Sequence, residues 1–139
     1  MPLDFPPSMT GAINVKVRDA SGTETQFIQV GKPFTVELDW TVKGPGTVLG
    51  NPTNQWHVRA RLESVGPPPF EAQLVPEQVT NFVPVDGHPY QVQITPAVPV
   101  PGLGEGVYEL AVVLDLRRQN GTRLPVHGFV DGIQLDFFS

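Results

Sequence analysis

Apolar and polar side chains alternate with a period of two along much of this chain, the mark of β-strands that bury one face. The clearest stretch is Phe34–Val42. There Phe34, Val36, Leu38, Trp40 and Val42 share one face, and Thr35, Glu37, Asp39 and Thr41 take the other. Trp56–Glu63 repeats the pattern, with Trp56, Val58, Ala60 and Leu62 inward and His57, Arg59, Arg61 and Glu63 outward. Ala12–Arg18 sets Ile13, Val15 and Val17 against Asn14, Lys16 and Arg18, and Val107–Leu116 puts Tyr108, Leu110, Val112 and Leu114 on the core side. Shorter strands are expected at Phe27–Val30, Phe70–Leu74, Val79–Val83 and Tyr90–Ile94, and a last element, Val126–Phe138, with a break at Gly132. No segment carries a helical period of useful length, and no internal repeat is present.

The 16 Pro and 14 Gly among 139 residues are spread between these apolar runs, where they punctuate strands and disfavour helices. Seven or eight short strands bounded by turns predict an antiparallel β-sandwich with Greek-key connections. A single domain over residues 11–139 accommodates it, preceded by an arm at residues 1–10 that holds three Pro. The core is expected from Val36, Leu38, Trp40, Trp56, Val58, Leu62, Tyr108, Leu110, Val112 and Leu114.

Leu38, Trp56 and the run Gly106-Val107-Tyr108-Glu109-Leu110 resemble the core of immunoglobulin-like and fibronectin III-like sandwiches. The resemblance spans about residues 30–116. It implies that Leu38 and Leu110 stand where antibody domains carry their disulfide cysteines. It further implies that Trp56 is the core Trp and that the Tyr108 hydroxyl ties a corner to the backbone upstream. The chain has no Cys, so the fold is expected to hold without a disulfide. A fold-level resemblance carries no function.

The formal net charge is -5. An acidic chain repels phosphate backbones, which predicts no nucleic-acid binding, and no apolar run approaches the roughly 20 residues of a membrane span. With no basic and apolar leader at the N-terminus and no Cys, a cytoplasmic location is expected.

Candidate chemistry is thin. His57, His88 and His127 fall on a strand face, a turn and the start of the last element, with no nucleophile motif and no metal-ligand spacing. Glu37 and Asp39 project from one strand face roughly 7 Å apart, a separation glycosidases use, but polar residues on a solvated sheet face account for them. Gly102-Leu103-Gly104-Glu105-Gly106 precedes a strand rather than a helix and reads as a loop, not a phosphate cradle. No catalytic residue, cofactor or metal is therefore expected.

Surface features remain. Val107, Ala111 and Val113 face outward on their strand, and Phe129 joins them from the last element, forming an apolar patch of the kind partners cover. Arg117-Arg118-Gln119-Asn120-Gly121-Thr122-Arg123 gathers three of the nine basic residues at a hairpin tip, where both Asn and Gly tolerate positive φ. Pro96-Ala97-Val98-Pro99 and Pro67–Pro69 read as rigid loops that protect sheet edges. The sequence thus predicts a non-catalytic protein-interaction or structural module that self-associates or serves as an accessory subunit. The alternative is a carbohydrate- or ligand-binding sandwich, which the inward Trp40 and Trp56 disfavour, and an enzyme using a His or carboxylate site ranks third.

Overall fold

A computed structural model describes residues 10–43, 51–67 and 69–139, with the backbone alone described at residues 10 and 125–127. Its described residues form an all-β sandwich of eight strands, consistent with an immunoglobulin-like fold. The strands are β1 (Thr10–Arg18), β2 (Phe27–Gln29), β3 (Thr35–Lys43), β4 (Gln55–Ser64), β5 (Glu71–Asn81), β6 (Tyr90–Ile94), β7 (Gly106–Arg117) and β8 (Arg123–Phe138). One sheet has the order β1-β3-β6 and the other β2-β8-β7-β4-β5. All neighbours are antiparallel except β2, which runs parallel to the end of β8. The arm expected at residues 1–10 falls, apart from Thr10, outside the described residues.

The two-residue rhythm packs the inner faces together. Val36, Leu38, Trp40, Trp56, Val58, Leu62, Tyr108, Leu110, Val112 and Leu114 are all at most 5 % exposed. Leu38 and Leu110 are both buried as plain hydrocarbon in a core without cysteine. Two aromatic groups close the ends of the interior. At one end Trp40 stacks on Tyr90 at 5.0 Å, and Trp56 meets both of them and Phe82. At the other, Tyr108 stands edge-on to Phe137 and Phe70, and Phe34 packs against Phe137. Each buried Tyr finds partners for its hydroxyl in the loop ahead of its strand. The Tyr108 hydroxyl donates to Gly104 O at 2.9 Å, and the Tyr90 hydroxyl donates to Val83 O at 3.1 Å.

Three local readings of the sequence change. The segments expected at Phe70–Leu74 and Val79–Val83 are one strand, β5, with Pro76 inside it. Pro lacks the N–H that a ladder needs, but β5 is an edge strand and pairs on one side only. A register shift between Val58 and Ala60 absorbs the interruption. Phe82 leaves the strand and donates its N–H to Asn54 O at 2.9 Å. Gly132 does not break the last element: β8 runs through it as a bulge, with Gly132 at φ +74° and a register shift between Leu110 and Val112. At the β7–β8 tip only Gly121 takes a positive φ, +88°, so Asn120 keeps an ordinary conformation. Backbone bonds Gly121 N to Arg118 O and Arg118 N to Thr122 O close that turn.

Candidate interaction surfaces

The outer face of the five-stranded sheet carries most of the exposed apolar side chains. Strand pairing sets Phe27, Asp136 and Val107 in one row across β2, β8 and β7. Phe138 lies two residues further along β8 on the same face. Phe27, Phe138 and Val107 are 63 %, 46 % and 40 % exposed. Exposed Val65 adjoins them, its N–H donating to Val107 O at 3.0 Å. A second apolar group lies mid-sheet, where exposed Phe129 stands directly opposite half-buried Val113, with half-buried Ala111 nearby on β7. Between the two groups runs a polar row, Glu63–Glu109–Gln134. The patch expected from Val107, Ala111, Val113 and Phe129 is therefore two groups on one face. Phe27 and Phe138 escaped the sequence reading. A three-residue strand is too short for alternation to assign a face to Phe27, whereas inward Leu135 and Phe137 do place Phe138 outward.

Beyond Val113 the face turns ionic. Asp115, outward by alternation, is only 4 % exposed because arginines close over it. Arg117 donates to it through Nε at 2.6 Å and Nη2 at 3.3 Å, and Arg59 through Nη2 at 3.3 Å. The hydrogen bond it donates to Asp115 raises the Arg117 guanidinium above its ordinary pKa, and burial opposes that shift. Next to them His57 Nδ1 pairs with Glu77 at 2.9 Å. Arg117 is thus absorbed into the sheet face. Arg118 and Arg123 remain exposed, their guanidinium groups without a partner among the described residues.

The remaining candidates separate. His88 stands edge-on to Tyr90 at 4.8 Å, away from His57 and its Glu77. The backbone of His127 lies opposite Asp115, and its side chain is outside the described residues. Among the described residues no three His, Asp or Glu are placed to hold a metal. No helix among them is long and apolar enough to cross a membrane.

Glu37 is 7 % exposed on the outer face of the smaller sheet, while Asp39 beside it is half-buried. Burial pushes the Glu37 carboxyl up, but hydrogen bonds from Gln93 (3.2 Å) and Arg18 (3.4 Å), with the Arg18 charge, outweigh it. The result is a pKa below the usual 4.5. A carboxyl held charged is a poor general acid. A lowered folded pKa contributes stability that is complete above the unfolded pKa and disappears as pH falls through the folded one. Glu37→Gln is therefore expected to flatten the loss of urea stability below about pH 4.5 while leaving the fold intact, as urea midpoints across the acid range would show. An unchanged acid limb would assign that loss to other carboxyls.

No protein-family model matches the sequence, and no curated protein matches it. Several solved structures are similar at the level of the chain path. A β-glucosidase from Listeria innocua, solved with isofagomine, is 9 % identical with a TM-score of 0.49; the match covers 91 % of this chain and 16 % of that one. The CARDB domain of a Pyrococcus furiosus protein, in complex with di-metal ions, is 12 % identical with a TM-score of 0.47, covering 91 % of this chain and 93 % of that one. The sporulation control protein Spo0M from Bacillus subtilis is 15 % identical with a TM-score of 0.39, covering 92 % of this chain and 50 % of that one. Likenesses this distant carry no activity, ligand or partner across.

Proposed function

We propose that this chain is a non-catalytic interaction module that assembles with a second copy of itself through the outer face of its five-stranded sheet. The observation that carries the reading is the grouping of Phe27, Phe138, Val107 and Val65 at one end of that face, with Phe129 and Val113 at its centre. Single exposed apolar residues are ordinary on a soluble protein, but groups of them ringed by charge are what partners cover. Charge favours a second copy as the occupant. The apolar end carries Asp136, Glu109 and Glu63, and at the opposite end Arg59 and Arg117 share Asp115, leaving an excess of positive charge with Arg123. A two-fold stacking that reverses the strands sets each acidic end over the other copy's basic end. Trp40 and Trp56, only 2 % and 0 % exposed, leave a sugar platform without support. The absence of cysteine suits work in a reducing compartment such as the cytoplasm.

Light scattering over a range of concentrations tests this. The wild-type chain is expected to approach twice the monomer mass as concentration rises, and the doubly substituted Phe27→Ser, Phe129→Ser chain to stay monomeric with an unchanged far-UV spectrum. A wild-type chain that remains monomeric at the highest concentration overturns self-association.

A further inference from the structure

We propose that the end of the sandwich opposite the Phe27–Phe138 group is a binding site for the side-chain carboxylates of an acidic peptide segment. Its parts come from two loops far apart in sequence. Gln55 at the start of β4 pairs with Arg117 at the end of β7, so the turn entering β4 and the turn leaving β7 emerge side by side. Asn51, Thr53 and Asn54 from the first and Arg118, Gln119 and Asn120 from the second line a cleft of about 690 Å³, with Leu124 beside them. That volume lies within the roughly 300–1,000 Å³ of sites that enclose drug-sized ligands, well beyond a lone small anion.

The cleft is rich in free hydrogen-bond donors. Asn51 Oδ1 accepts from Thr53 N at 3.0 Å and from Thr53 Oγ1 at 2.9 Å, closing its own turn. Asn120 Oδ1 accepts from Thr122 N at 3.0 Å and closes the other. Each planar amide therefore has its acceptor engaged and keeps two N–H donors with no partner among the described residues. The Arg118 guanidinium adds further donors without a partner among the described residues, and none of those residues lining the cleft is Asp or Glu. A donor-rich site bearing a positive charge selects ligands rich in anionic acceptors, and the planar guanidinium matches a carboxylate in particular. On a chain of net charge -5, exposed Arg123 reinforces this local positive end.

The site is separate from the self-association face. Val107 and Arg118 lie at opposite ends of β7, on the order of 35 Å apart along an extended strand. The test is fluorescence anisotropy with a dye-labelled hexaglutamate peptide at low ionic strength, with inorganic phosphate and maltotriose as competitors. The peptide is expected to bind, more weakly as salt rises, and to be displaced by neither competitor at equal concentration. Arg118→Ala is expected to weaken binding about tenfold. Asn120→Asp keeps the Oδ1 that accepts from Thr122, so the turn survives. It replaces the amide donors with negative charge, and it is expected to abolish binding without moving the melting temperature. The Phe27→Ser, Phe129→Ser chain is expected to bind the peptide as the wild type does, whatever its oligomeric state. Binding unaffected by Arg118→Ala and Asn120→Asp overturns the assignment. So does no binding at all, and displacement by phosphate or by maltotriose overturns the peptide as the ligand.

Discussion

Replacing Trp56 with alanine is expected to cost the domain about 3–5 kcal/mol, lowering its melting temperature by roughly 10 °C or more. Trp56 is fully buried and touches the rings of Trp40, Tyr90 and Phe82, with centroids 5.9–6.2 Å away. Truncation leaves a cavity that Trp40 and Tyr90, held in the facing sheet, cannot close. Stability on the order of 5–15 kcal/mol is normal for a domain, so the loss is a large part of the total. Trp56→Phe should behave differently. The Trp56 Nε1 is buried with no hydrogen-bond partner among the described residues, so removing it forfeits no hydrogen bond to them and relieves a desolvated donor. That exchange is expected to cost less than about 2 kcal/mol, from lost volume alone. Urea and thermal unfolding of both variants test the contrast. A Trp56→Ala chain as stable as Trp56→Phe would mean that the indole does not fill the interior.

The second large effect is at Asp115. Its carboxylate is nearly buried and holds Arg59 and Arg117 on the sheet face. Breaking a fully buried ion pair by removing one member costs about 3–5 kcal/mol, because the other charge is stranded. Here the two arginine side chains keep 28 % and 18 % of their exposure and can turn to water, so Asp115→Ala is expected to cost about 2 kcal/mol. Arg117→Ala should cost less, since Arg59 still holds the acid. A double-mutant cycle on Asp115 and Arg117 is expected to show a coupling of about 1 kcal/mol, resistant to added salt because the acid is shielded. Zero coupling, or one erased by salt, would make the pair an ordinary surface contact.

Much of this fold could be read in the chain because burying one face of a strand leaves a period of two. Phe34 to Val42 and Trp56 to Leu62 obey it strictly, Tyr108 to Leu116 does so except at outward Ala111 and Val113, and those strands lie where the pattern puts them. The pattern misled where proline and glycine were read as punctuation. Pro76 did not split β5, because an edge strand leaves one row of donors unpaired in any case. Gly132 did not break β8, because a bulge used its positive φ.

The candidate surfaces were less legible, for a physical reason. Alternation assigns a face to each residue, but which residues become neighbours depends on strand register. Arg118 was visible as a basic tip. Nothing local announced that Asn51 and Thr53 lie beside it, since that follows from β4 pairing with β7. In the same way Phe27 joined Val107 only through the parallel pairing of β2 with β8. The outward Asp115 gave no sign that it would be buried, because two arginines from neighbouring positions had first to fold over it.

Pro76 has a further bearing on how copies of this domain can meet. It removes an amide donor midway along the free β5 margin of the larger sheet. That rim therefore offers no long uninterrupted row of backbone groups onto which another chain could zip. Growth of a ribbon through the β5 rim is thereby disfavoured, which fits the proposed face-to-face pair, a geometry that closes on itself.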